Sequence, residues 1–82
     1  MLLKHKISCR RYLDLGCYDG KFTLQVAKTV GAEEIYGVDI DTQLLSKVPA
    51  IIRTEKVDLL NDKLPYPDQY FDLVTAVDVI KL

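Results

Sequence analysis

Three carboxylates and two glycines stand at positions where they could do chemistry together: Asp14, Asp39 and Asp58, with Gly16 and Gly20. Asp14 and Gly16 lie at the close of a short apolar run, Tyr12 to Leu15, and Gly20 opens a helix-like pattern. Glycines at such a turn let the backbone approach a ligand, and a helix start offers unpaired N–H groups. Asp39 and Asp58 end two further strand-like runs, which places all three acids at one edge of a parallel sheet. Carboxylates converging on a glycine turn suit a ligand that carries amino groups, hydroxyls and positive charge, without phosphates. A carboxylate ending the second strand can accept both hydroxyls of a ribose. Each residue alone also has a structural reading. Asp14 could satisfy turn donors, Asp39 and Asp41 could cap helices, and the glycine turn could be a plain crossover.

Other small-molecule motifs fit less well. A dinucleotide fingerprint needs glycines at 16, 18 and 21, where Tyr18 and Lys21 disfavour an NAD-linked reading. No G-K-[ST] follows for a P-loop. Cys9, Cys17 and the single histidine, His5, do not make a four-ligand zinc site, so no metal is expected. Cys17 reads as a small residue packed beneath the turn, and two unpaired thiols fit a reducing, cytoplasmic compartment.

The elements that must position these acids follow from pattern. The 82 residues are 49% hydrophobic and 28% charged, a globular composition that excludes wholesale disorder and allows one small domain. Residues 1–11 form a basic lead-in, readable as an arm for RNA or an acidic partner, or as a solvated turn. The rest, 12–82, reads as one unit. After the first strand, Asp19 is the expected N-cap of a helix from about Gly20 to Val30, with Phe22, Val26, Ala27 and Val30 on its buried face and Gly31 as its stop. Glu34 to Ile40 is a second strand. Asp41 caps a short helix burying Leu44, Leu45 and Val48 and ending at Pro49. A third strand ends near Val57, Asp58 and Leu59, with Ile51 and Ile52 assignable to either neighbour. A proline-containing loop from Asn61 to Gln69 leads to a fourth strand, Tyr70 to Ile80. Tyr12, Tyr36, Tyr66 and Tyr70 are expected at layer edges, and Tyr18 at the mouth of the site. The alternation predicts a parallel sheet with helices mainly on one face. Strands one, two and four are apolar on both sides, and nothing in the sequence is expected to cover the second face. No run is long enough to span a membrane.

With that pattern in place, the sequence resembles the class I S-adenosylmethionine-dependent methyltransferases. Leu13-Asp14-Leu15-Gly16-Cys17-Tyr18-Asp19-Gly20 is similar to that family's first motif, and Gly37-Val38-Asp39-Ile40-Asp41 to its second-strand acid. Asp58-Leu59, Leu64-Pro65-Tyr66-Pro67-Asp68 and Phe71-Asp72-Leu73-Val74 resemble the third-strand acid, proline loop and fourth strand. The resemblance implies a partial Rossmann-like α/β fold with strand order 3-2-1-4. It implies S-adenosyl-L-methionine as cofactor, with Asp14 and the backbone around Gly16 and Cys17 holding the methionine amino group. The helix end after Gly20 would lie near the carboxylate, Asp39 would take the ribose, Ile40 and Leu59 would meet adenine, and Asp58 would accept from its amino group. Ala76 would sit near the sulfonium.

Two departures qualify the match. Tyr18 occupies a position where the family often has glycine, and similar members continue beyond Asp78–Leu82. The expectation is therefore the N-terminal, cofactor-binding half of a methyltransferase, with an unknown methyl acceptor and no catalytic residue assignable. A C-terminal half or a second copy would cover the open sheet face. The alternative is a nonenzymatic cofactor-binding or oligomeric assembly module.

Overall fold

Side chains alternate across the first strand, and that alternation decides which surfaces the remaining chain must cover. The computed structural model describes residues 9–76. Strand β1 (Arg11–Leu15) is followed by helix α1 (Lys21–Val30), β2 (Glu34–Asp39), helix α2 (Thr42–Leu45), β3 (Ile52–Lys56) and β4 (Leu73–Thr75). All pairings are parallel, in the order β3-β2-β1-β4. The expected extension of β4 to Ile80 and most of the basic lead-in lie outside the described residues.

Tyr12 points to one face, where it packs with Cys9, Ala27, Ile35 and Ile52 beneath α1. Both helices serve this face, since Val48, just after α2, joins the same cluster. Leu13 points to the other face, against Tyr36, Val38 and Val57. Tyr12, Leu13 and Val38 are fully buried, worth about 1.5–3 kcal/mol for each aliphatic side chain removed from water.

The second face is not bare as expected. Leu59, Tyr66, Tyr70 and Phe71, from the segment between β3 and β4, pack over it. Tyr36 meets Phe71 edge-on with ring centroids 5.0 Å apart, and Tyr66 meets Phe71 the same way at 4.9 Å. Such pairs contribute about 0.5–1.5 kcal/mol beyond their buried area. The Arg11 guanidinium lies 4.4 Å from the Tyr70 ring centre, a cation–π contact. Tyr66 lies in the expected proline loop, whereas Tyr70 and Phe71 are expected to open the fourth strand; β4 instead starts at Leu73, and all three rings serve as a covering layer. Tyr12 and Tyr36 are accordingly buried in the core, not perched at layer edges.

Several local expectations are corrected by the same packing. Helix α1 starts after Gly20 in the left-handed conformation (φ 87°), not at an Asp19 cap. That backbone favours glycine, and a Cβ there would also press on Ile52 Cδ1 at 3.0 Å. Asp19 still accepts from the Lys21 N–H at 3.2 Å. Thr23 and Ala27 form the buried face of α1, whereas Phe22 is 41% exposed. Asp41 does cap α2, accepting from the Gln43 and Leu44 N–H groups, but α2 buries no residue completely and ends at Leu45, before Pro49. Ile52 belongs to β3, and Ile51 is exposed.

Asp72 fastens β4 to β1. Its carboxylate accepts from the Arg10 and Arg11 N–H groups at 2.8 and 3.0 Å, while its own N–H donates to the Arg11 carbonyl.

Candidate functional site

Parallel strands carry their C-terminal ends to one edge, and three loops meet there. The first is the glycine turn after β1. Gly16 (φ 75°) and Cys17 both donate to the Val38 carbonyl, at 2.8 and 3.0 Å, which stitches the turn to β2. Cys17 is buried against Gly37, where an added Cβ would lie 2.8 Å from both the Cys17 Cβ and Sγ. Burial, followed by the nearby Asp39 and Asp14 carboxylates, pushes the Cys17 thiol up to about 11.

Asp14 is almost wholly enclosed at 2% exposure. Its carboxylate accepts from the Thr23 hydroxyl at 2.6 Å and from the Thr75 hydroxyl at 3.0 Å. Because the Thr75 proton is committed to the carboxylate, the 2.6 Å contact between Tyr12 and Thr75 has Tyr12 as donor. Burial raises the Tyr12 phenol to about 12, keeping it protonated for that role. Two hydroxyls, from α1 and β4, thus meet on one buried acid, with the Tyr12 hydroxyl of β1 behind Thr75, and hydrogen bonds to a charged acceptor are worth about 1.5–3 kcal/mol each.

Asp39 ends β2 and is tied into the turns on either side. Oδ2 accepts from the Tyr18 N–H at 3.1 Å, and Oδ1 accepts from the Asp41 N–H at 3.0 Å. The Val57 N–H donates to the Asp39 carbonyl at 3.1 Å, bringing the third loop alongside. In that loop Asp58 accepts from the Leu60 N–H and the Asn61 side-chain amide, while its own N–H donates to Asp62. The Asn61 bond first, then Leu60, holds the Asp58 carboxyl below the usual carboxylate range.

Two hollows result. One, of about 170 Å³, is lined by Asp14, Gly16, Cys17, Tyr18, Asp19, Lys21 and Phe22. The other, of about 300 Å³, is lined by Gly16, Asp39, Ile40, Val57, Asp58, Leu59 and Leu60. Gly16 borders both, so a ligand could run from one to the other across a residue with no side chain. Of the residues singled out in the sequence, Asp14, Gly16, Cys17, Asp39, Ile40, Asp58 and Leu59 line these hollows. Gly20 shapes the turn from behind, facing Ile52, Pro49 and Val48. Ala76 is exposed and directly follows β4.

A family model described as a methyltransferase domain matches residues 13–82. The chain belongs to that family, the class I S-adenosylmethionine-dependent methyltransferases. It is 33% identical to an uncharacterised methyltransferase of Schizosaccharomyces pombe, over 96% of this chain and 33% of that protein. In structure it is similar to an S-adenosylmethionine-dependent methyltransferase from Mesorhizobium loti, with a TM-score of 0.68 and 33% identity. That match covers 90% of this chain and 35% of the other. The chain thus spans about a third of the length of each relative.

Sequence reasoning about this methyltransferase edge missed Thr23 and Thr75, the hydroxyl partners of Asp14. Thr23 is placed four residues before Ala27 on one helix face, so helical spacing would have found it had burial not been assigned by apolarity alone. Thr75 carried no such signal, because its role depends on the register Asp14↔Thr75 between β1 and β4. Among the described residues, no helix is long and apolar enough to cross a membrane, and no group of three or more His, Cys, Asp or Glu could hold a metal ion.

Proposed function

We propose that this chain is the cofactor-binding part of a methyltransferase and binds S-adenosyl-L-methionine across the two hollows that meet at Gly16. The donor set supports that fit. A carboxylate has about four acceptor positions, and Asp39 uses one on each oxygen for backbone N–H groups, leaving two for ribose hydroxyls. Asp58 is held ionised as an acceptor for an amino group on adenine, with Ile40, Val57 and Leu59 as the apolar lining around the ring. Asp14, beside the smaller hollow, supplies negative charge for the methionine ammonium. The cofactor, when bound, supplies a methyl group already activated on a sulfonium. The protein's contribution is then to hold that donor in one orientation, with the buried Asp14–Thr23–Thr75 cluster fixing the floor against which it rests. The acceptor is taken to approach near Ala76, at the end of β4.

The observation that carries this reading is the arrangement of Asp14, Asp39 and Asp58 around two hollows joined at a glycine. Calorimetric titration of the purified chain with S-adenosylhomocysteine tests it. Saturable binding, weakened at least tenfold by Asp39→Asn in a variant whose melting shows it folded, is expected. Asparagine retains one acceptor for the backbone bonds, so it separates ligand loss from turn collapse better than alanine. Absence of binding by a folded chain would overturn the reading. The mass in solution, measured alongside, addresses the assembly-module alternative, for which half-exposed Val74 on β4 is the surface to watch.

A further inference from the structure

Tyr18 has a left-handed backbone, φ 60°, which side-chain-bearing residues adopt at a penalty of about 1–2 kcal/mol. Its N–H is held by Asp39, and the residue is 58% exposed, so the side chain is not placed there by burial in the core. Phe22 is likewise off the core, on the outward side of the first turn of α1. Yet both residues border the same small hollow as Asp14. A tolerated backbone strain and two large apolar side chains kept out of the core at one ligand-sized opening point to a role toward the ligand.

We propose that Tyr18 and Phe22 form an aromatic wall that makes the site prefer a sulfonium cation over a neutral ligand of the same shape. The proposal rests on the cofactor reading above and adds to it the residues that sense the charge. Aromatic faces attract cations through the ring quadrupole. The hollow's other charged groups are Asp14, Asp19 and Lys21, with Lys21 Nζ 3.9 Å from Asp19. Those carboxylates also face the ligand's ammonium, which charged and neutral forms of the cofactor share, whereas the rings can add preference at the sulfur. Once the methyl group has left, its bonding pair stays on sulfur and the ligand becomes a neutral thioether. A wall of this kind then loses its hold, so Tyr18 and Phe22 favour exchange of spent for fresh cofactor.

Calorimetric titration with S-adenosylmethionine and with its neutral carba analogue, in which CH replaces the sulfonium, measures the preference directly. Tyr18→Asn removes the ring with a residue that accepts a left-handed backbone, and Phe22→Leu removes the other at an exposed helical site. Each is expected to reduce the charged-to-neutral affinity ratio by about two- to fivefold, with affinity for the carba analogue nearly unchanged. Ratios unchanged in both variants would overturn the proposal while leaving the cofactor site standing. Equal losses for both ligands would also overturn it, reducing the rings to shape. Failure of the folded wild-type chain to bind either ligand would overturn the proposal and the cofactor reading together.

Discussion

Gly37→Ala is the substitution for which the structure makes the most demanding forecast. Gly37 lies mid-strand in β2, paired to Asp14 of β1 on one side and Thr54 of β3 on the other. Its Cβ would fall 2.8 Å from the Cys17 Cβ and Sγ and 3.3 Å from Ile52 Cγ2. The sulfur could rotate away, but the Cys17 Cβ could move only with its backbone, whose N–H is bonded to the Val38 carbonyl. Overpacking of this kind costs about 1–3 kcal/mol, offset by about 0.5–1 kcal/mol because alanine loses less backbone entropy than glycine. A net loss of about 1–2 kcal/mol corresponds to a fall of about 5–15 °C in melting temperature for a domain of this size. Thermal melts followed by circular dichroism would measure it, with Cys17→Gly and the double variant completing a cycle. Since Cys17→Gly removes the Cβ that is struck, the double variant should lose less than the two single losses together, by at least about 1 kcal/mol. A melting temperature within 2 °C of wild type for Gly37→Ala, or strict additivity in the cycle, would refute the reasoning.

Further outcomes follow from the same contacts. Thr23→Val keeps the shape of the side chain but removes the 2.6 Å bond to buried Asp14, so a loss of about 1.5–3 kcal/mol is expected in urea titration. A loss under about 0.5 kcal/mol would show that the bond contributes little. Asp58 and Asp72 have carboxyls held below their ordinary 3.8 by hydrogen bonds, from Asn61 first for Asp58 and from the Arg11 N–H first for Asp72. Their contribution is complete above the unfolded value and disappears as pH falls through the lower folded value. Melting temperature should therefore decline below about pH 4, and Asp72→Asn should decline less steeply; identical acid profiles would count against the clasp. Both cysteines are free and buried, and burial raises both thiols. Thiol reagents at pH 8 should label them at the rate of unfolding, and rapid labelling of the native chain would contradict the burial described.

How much of this could be read in advance depended on how local each feature is. A parallel sheet with Asp14, Asp39 and Asp58 at one edge follows from the alternation of elements, which the pattern of apolar runs displays, whereas the strand order came from the family resemblance. The Asp41 cap was legible because a cap acts over three residues. The long-range pairs were not. Thr75 reaches Asp14 only through the β1–β4 register. Tyr66 covers Tyr36 from a loop whose prolines and polar residues conceal its apolar side. Tyr70 and Phe71 read as strand because their apolarity does not show that they lie over the sheet instead of in it. Phe22 was misassigned because hydrophobicity alone selected it for the core, whereas helix geometry gave the buried position to Thr23. The Gly20 cap was hidden for a related reason: Asp19 has the right chemistry, but the helix entrance takes a left-handed backbone, which glycine favours and residue chemistry alone does not announce.

The Asp72 clasp also carries a consequence for the order of events during synthesis. The strand bearing Asp14 emerges first, and β2 can pair with it soon afterwards. Its other edge must wait for a residue 61 positions beyond Arg11. At a ribosomal pace of about 5–20 residues per second, that delay is about 3–12 s, far longer than local helix or hairpin formation requires. Throughout it, Tyr12, Leu13 and Asp14 present an unpaired strand edge beside a half-made core. The nascent chain therefore passes through a defined interval of vulnerability to wrong strand partners, and the arrival of Asp72 brings it to an end.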